Sequence, residues 1–299
     1  MATDKKLLAT LRREIDRIDE SIHALIVDRT KIVEKVRNAK RDEKIKIRPA
    51  REAEILYRLM ARHRGGFPKR ELARIWRELI VATLSFEGPF SVAVYAAEDA
   101  AGYWDLARDQ YGSFTPMTRH ASARSVVDAV SKHAATLGIL PLPRRDDKEP
   151  WWRMLVADAP DTPRVIARLP FIDGANGPGA DVEALVISPI EQEETGRDRS
   201  FLAVETAEDL GAKAVEKAMA QAGVTVNSLH VWQGPDRPAT WIYLVETAAF
   251  VDGGGRQMKR LIDGLGKRAK RVLHLGGYAA PLDDADLAPP AAKGRRKAP

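Results

Sequence analysis

The chain has 299 residues, with 48 Lys and Arg against 42 Asp and Glu, and it has no cysteine. That length allows two or three compact cores, so one function need not account for every segment. The missing thiols exclude a disulfide framework, a thiolate nucleophile and a thiolate metal site.

The opening MATDKK lacks the apolar stretch of a signal peptide, and no apolar run reaches the roughly 20 residues that span a bilayer. A soluble, cytoplasmic protein without a membrane partner is therefore expected. The charge is uneven. Residues 1–88 hold 22 Lys and Arg against 14 Asp and Glu, an excess of eight positive charges, which leaves −2 for the remainder. Such a front suits an anionic partner, whether nucleic acid, phosphate or a small polycarboxylate.

From Lys5 to Arg41 there is neither Gly nor Pro, and Leu8, Leu11, Ile15, Ile18, Ile22, Leu25, Ile32 and Val36 recur at three-and-four spacing. This predicts one helix of about 55 Å, too long for the rest of the front to cover, so a second chain is expected against it. Pro49 redirects the chain into a second helix over 50–63, with Ile55, Leu56, Leu59 and Met60 on one face. A third helix comes next, from Lys69 to Glu87, its apolar face written by Leu72, Ile75, Trp76, Leu79, Ile80 and Leu84.

After residue 88 short β-rich runs alternate with helical ones: FSVAVYA, TLGILPL, ALVISPI, SFLAVET, VTVNSLHVW, TWIYLVET and RVLHLGGY. The expected fold is multidomain, with an all-α three-helix N-terminal domain in an intertwined dimer, followed by an α/β and α+β region. The closing LAPPAAKGRRKAP is Pro/Ala-rich and basic, as in a disordered tail.

The one vacant slot in the first helix's apolar stripe is filled by Arg29. A buried guanidinium is costly without an anion, which could be an acid of a neighbouring helix or a bound carboxylate or phosphate. Lys40 lies eleven residues on, about 1100° round the helix and within ~20° of three full turns, so it shares the face of Arg29. Arg12 stands about 25 Å before Arg29 and ~100° round, so it cannot serve that pocket in its own chain and, if functional, should reach a pocket of the partner chain. Arg51 and Glu52 open the second helix, while Thr83 and Glu87 align with Trp76 and Ile80 on the third. For Glu87, desolvation raises the pKa and a nearby Lys40 ammonium lowers it.

Three stretches carry a family resemblance: LRREIDRIDESIHALIVDRTKIVEKVRNAK, RPAREAEIL and IWRELIVATLSFE. Together they make residues 5–88 resemble the all-helical chorismate mutases of aromatic amino acid biosynthesis. The resemblance implies that Arg12 of the partner chain and Arg29 hold the two carboxylates of chorismate. Lys40 and Glu87 would flank its ether oxygen, Glu52 would take the ring hydroxyl, and Arg51 and Thr83 would complete the wall. Lys40, Glu87 and Arg29 are the implied catalytic residues. No cofactor and no metal are implied.

The rear is similar to the region behind the mutase in bifunctional mutase–prephenate dehydratase proteins. SARSVVDAVSKHAATLGILPLP (122–143) resembles a dehydratase stretch, and residues 222–281 resemble a small-molecule-sensing ACT domain, of ferredoxin-like fold. The departures are specific. RRDD (144–147) replaces the family's Glu-Asn-Ser, and Val182, Glu183 and Ala184 replace its Thr-Arg-Phe, so dehydratase activity is expected to be absent. An aromatic amino acid is a candidate effector. The expected units are a mutase domain (1–88), a reduced dehydratase-like region (89–197), an ACT-like regulatory domain (198–282) and a disordered basic tail (283–299).

The bland readings elsewhere are a turn for DGGGR (252–256), packing for Trp151 and Trp152, and no metal role for the six scattered histidines. Two rivals share these features: an isochorismate pyruvate lyase, which also needs a cationic pericyclic pocket, and a non-enzymatic helical dimer that binds nucleic acid or regulates another enzyme. Against nucleic acid, Arg29 lies on the buried stripe, beyond the reach of a phosphate backbone.

Overall fold

The computed structural model describes residues 2–39, 45–98, 102–145, 147, 149–172, 182–235 and 239–289. Three helices open the chain: α1 (Ala2–Ala39), α2 (Pro49–Arg62) and α3 (Lys69–Glu87). Pro49 suits the first position of α2, where its missing N–H is not needed. Along α1 the predicted apolar stripe is laid bare, with Leu8, Leu11, Ile15, Ile18, Ile22, Leu25, Ile32 and Val36 between 42% and 68% exposed. Its C-terminal half meets α3, where Arg29 reaches Leu79. No helix among the described residues is long and apolar enough to cross a membrane.

Among the described residues, the remainder is built on a nine-stranded sheet. Its first half comprises β1 (Val92–Tyr95), α4 (Tyr103–Tyr111), β2 (Met117–His120), α5 (Ala123–Ser131), β3 (Leu137–Pro141), a 3₁₀ turn (Trp151–Leu155), β4 (Arg164–Leu169) and β5 (Ala184–Ser188). Its second half is β6 (Asp198–Thr206), α6 (Ala212–Gln221), β7 (Val226–Gln233), β8 (Trp241–Thr247), α7 (Arg256–Leu265) and β9 (Ala269–Ala279), closed by a short α8 (Asp284–Leu287). The spatial order is β2-β1-β3-β5-β4-β9-β6-β8-β7. β1 runs parallel to β2 and β3, whereas β6 to β9 form an antiparallel βαββαβ unit, the ferredoxin-like arrangement.

The halves meet where Val165 of β4 pairs with Gly276 of β9. Gly276 has φ +92°, and a Cβ there would collide with the main chain of Val165. Only glycine lets β9 bend between β4 and β6 at that point.

Four apolar clusters result from this layering. Val126, Val127, Val130, Trp151, Trp152, Phe201 and Leu275 fill one face of the sheet. The indole N–H of Trp151 donates to Pro141 O at 3.0 Å, so the tryptophan pair packs as expected. α4 covers the other face of the first half with Tyr103, Leu106 and Tyr111, joined there by Ile47 and by Leu84 of α3. α6 and α7 cover the second half. A fourth cluster joins Ala53, Leu56 and Met60 of α2 to Phe171, Ala279 and Leu282. Helical front and sheet therefore share two cores.

Two strands fall outside the β-rich runs expected from sequence. β2 reads Met-Thr-Arg-His at a half-exposed edge, and β4 carries Arg164 and Arg168 between Pro163 and Pro170, so neither shows a clean apolar pattern. The tail expected to be disordered from 283 is corrected in its first part. Asp283 caps α8 in a capping box, and Asp286 is clasped by Arg197 through two hydrogen bonds of 2.8 and 2.9 Å. Residues 290–299 lie outside the described residues.

Candidate active site

Arg29 projects from the half-buried part of α1 onto α3, where its Nη1 donates to Leu79 O at 3.2 Å. No carboxylate lies within ion-pairing distance of it among the described residues. Thr83, one turn beyond Leu79, is buried, and its hydroxyl donates to Ile80 O at 2.7 Å with a longer contact to Leu79 O at 3.3 Å. Arg29 and Thr83 thus meet at one main-chain oxygen, the side of α3 that α1 covers.

Glu52 is placed differently. It is 7% exposed and its Oε2 receives Arg77 Nη1 at 2.5 Å, with Arg77 only 3% exposed. Arg77 precedes Thr83 by six residues, about 120° round the helix, so the pair occupies the adjoining face of α3. The Arg77 guanidinium stands 5.5 Å from the centroid of the Phe171 ring. Tyr111 is close enough to sense both charges: burial pushes its hydroxyl far above the usual tyrosine range, with Glu52 adding to the rise and Arg77 opposing it.

Of the other implied residues, two have described side chains, and both are exposed. Arg51 is exposed on the outer side of α2, pairing with Glu54 at 3.1 Å. Arg12 is exposed on α1. Lys40 lies outside the described residues, and Glu87 is the last residue of α3, its side chain outside what is described.

Arg77 is absent from the residues expected from sequence, although a signal for it exists. It stands on the line Ala73, Arg77, Ile80, Leu84, the same cation-in-a-stripe pattern that picks out Arg29.

In the rear, Glu183 stands where the dehydratase pattern would carry arginine, and it accepts from Arg168 Nη2 at 2.6 Å. Arg168 also donates to the Tyr278 hydroxyl at 3.1 Å, and that hydroxyl donates to the buried Glu246. The DGGGR segment is a turn, its Gly254 N–H taken by the Asp252 carboxylate at 2.9 Å. No group of three or more His, Asp or Glu among the described residues could hold a metal ion.

Residues 11–88 match the family model of chorismate mutase type II. The bifunctional chorismate mutase/prephenate dehydratase of Aquifex aeolicus (strain VF5) is 33% identical over 140 residues, which is 45% of this chain and 38% of that protein. The chain thus spans less than half the length of the curated relative it matches. Among solved structures, one called a novel type of quorum quenching acylase, GqqA, is 15% identical, covering 68% of this chain and all of that one at a TM-score of 0.47. Prephenate dehydratase from Arthrobacter aurescens in complex with L-Phe is 12% identical, covering 67% of this chain and 93% of that one at a TM-score of 0.47.

Proposed function

We propose that this protein is a cytoplasmic chorismate mutase that works as a homodimer, with a dehydratase-like and ACT-like extension that has no dehydratase activity. The observation that carries the reading is the family match over residues 11–88, which spans Arg12, Arg29, Lys40, Arg51, Glu52, Thr83 and Glu87. The position of Arg29 supports it. A guanidinium held half-buried by a neutral carbonyl keeps its charge for a substrate carboxylate.

The reaction needs no nucleophile, metal or cofactor. Chorismate rearranges to prephenate in one cyclic shift of electrons, breaking the ether carbon–oxygen bond as a carbon–carbon bond forms. The protein must hold the compact conformer and stabilise the ether oxygen as it gains negative charge. Arg29 and the partner's Arg12 grip the two carboxylates, which is orientation prepared in advance. Lys40 and a protonated Glu87 donate to the ether oxygen, which is electrostatic preorganisation. Glu52 accepts the ring hydroxyl, and Arg51 and Thr83 complete the wall. The bare stripe of α1 supports the dimer, since a monomer would leave eight large apolar side chains in water.

One assay tests this reading: chorismate consumption by wild type and by Arg29→Ala, with and without phenylalanine or tyrosine. Prephenate from wild type and its loss in the variant are expected. Pyruvate release would favour the lyase instead, and phenylpyruvate made from prephenate would overturn the missing dehydratase. A response to either amino acid would assign the ACT-like unit its effector.

A further inference from the structure

We propose that Arg77 is a positioning residue of this site, holding the Glu52 carboxylate from behind and backed in turn by the Phe171 ring of the rear half. The inference rests on the chorismate mutase reading and adds to it a residue outside the implied set. Two elements converge on Arg77: Glu52 reaches it from the first turn of α2, and Phe171 lies beneath its guanidinium after β4. Its Nε is buried without a hydrogen-bond partner among the described residues.

An ion pair this dry is a poor device for stability alone, because desolvating both ions offsets most of their attraction and apolar side chains would fill the same space. What it supplies is a fixed carboxylate. A glutamate has three rotatable side-chain bonds, and a substrate hydroxyl needs its acceptor held within a few tenths of an ångström. Arg77 stands about a third of a turn round α3 from Thr83, so it pulls on Glu52 from the side away from Arg29 and Thr83. Phe171 closes that side, so the rear half supports the site through one guanidinium.

The ring hydroxyl is present in both ground and transition states, so a loosened Glu52 costs binding more than turnover. Arg77→Met should raise KM for chorismate about tenfold while kcat moves about twofold. Arg77→Lys, which keeps a cation, should restore most of the lost affinity. Glu52→Gln should raise KM similarly, and the double variant Glu52→Gln/Arg77→Met should be no worse than Glu52→Gln alone, because Arg77 acts through Glu52. The double variant leaves no unpaired charge and keeps the test open should Arg77→Met fail to fold. A folded Arg77→Met with the wild-type KM, or penalties that multiply in the double variant, would overturn the proposal. A wild type that makes no prephenate would overturn the mutase reading, and this inference with it.

Discussion

Arg29 and Thr83 are joined through a single oxygen: Leu79 O accepts from the Arg29 guanidinium at 3.2 Å and lies 3.3 Å from the Thr83 hydroxyl. The contact orients the arginine, and no carboxylate among the described residues pairs with it, as the proposed anion site requires. Arg29→Ala should therefore cost far more in catalysis than in stability. Losing a desolvated partner of the substrate is worth about 3 kcal/mol, roughly a hundredfold in kcat/KM. Losing a hydrogen bond to a neutral carbonyl is worth about 1 to 2 kcal/mol of folding. Arg29→Lys keeps the charge but loses the planar fork, and should fall between the two. Steady-state kinetics beside urea melts checks both numbers, and equal losses in each would count against a substrate role.

The exposed stripe of α1 makes a second prediction, about which chain supplies which residue. If Arg12 serves the partner's pocket, an Arg12→Ala chain and an Arg29→Ala chain are each inactive as homodimers. A mixed dimer, however, has one pocket with both defects and one with neither. Random mixing of the two inactive variants should restore about one quarter of the wild-type sites. Ile15→Glu or Ile22→Glu, on the same stripe, should abolish both dimer and activity, read by light scattering and turnover. A monomeric wild type would end this prediction.

Arg29 and Arg77 mark where the sequence is legible and where it is not. The three front helices can be read because their apolar residues keep a strict period over long stretches, and Arg29 stands out as a break in that period. Arg77 breaks the α3 line in the same way, yet the ring beneath it, Phe171, arrives from 94 residues downstream. No local pattern announces such a partner. β4 is hidden for a related reason: Arg168 reads as a solvent-facing break until Glu183 and Tyr278 are seen to hold it. The start of α8 likewise looks like tail until Arg197 closes on Asp286.

That clasp yields a third prediction. The Arg197 guanidinium holds the Asp286 carboxyl below the usual carboxylate range, while Lys69 reaches the main-chain oxygen of the same residue at 2.7 Å. α8 is thereby fastened to the start of α3. Because the folded-state pKa is depressed, the stabilisation is present above the ordinary value of 3.8 and is lost as pH falls through the folded value. Asp286→Asn should cost about 1 to 2 kcal/mol at neutral pH, and that difference should shrink in strong acid. Faster proteolytic trimming of the C-terminal segment in the variant, together with thermal melts at several pH values, tests it. An unchanged trimming rate would show that the clasp does not hold α8.

The last prediction concerns His274 on β9, which faces Gln192, Arg164 and Asp252 in the seam between the two halves of the sheet. Its Nε2 lies 3.2 Å from Gln192 Oε1, and its Cβ lies against the Gly253 backbone. Burial, helped by the Arg164 charge and opposed by Asp252, pushes its pKa down from 6.5 to about 4. Between those values the unfolded chain binds a proton that the folded chain refuses. Stability should therefore rise with pH across this window and level off above 6.5, an effect of up to about 3 kcal/mol from this group. Gln at this position is neutral at every pH and can still bond to Gln192, so His274→Gln should flatten that part of the profile while leaving neutral-pH stability nearly unchanged. Urea midpoints for both proteins through the window decide it. Parallel profiles would mean that His274 accepts its proton in the folded seam, and that the seam opens to water more readily than its packing indicates.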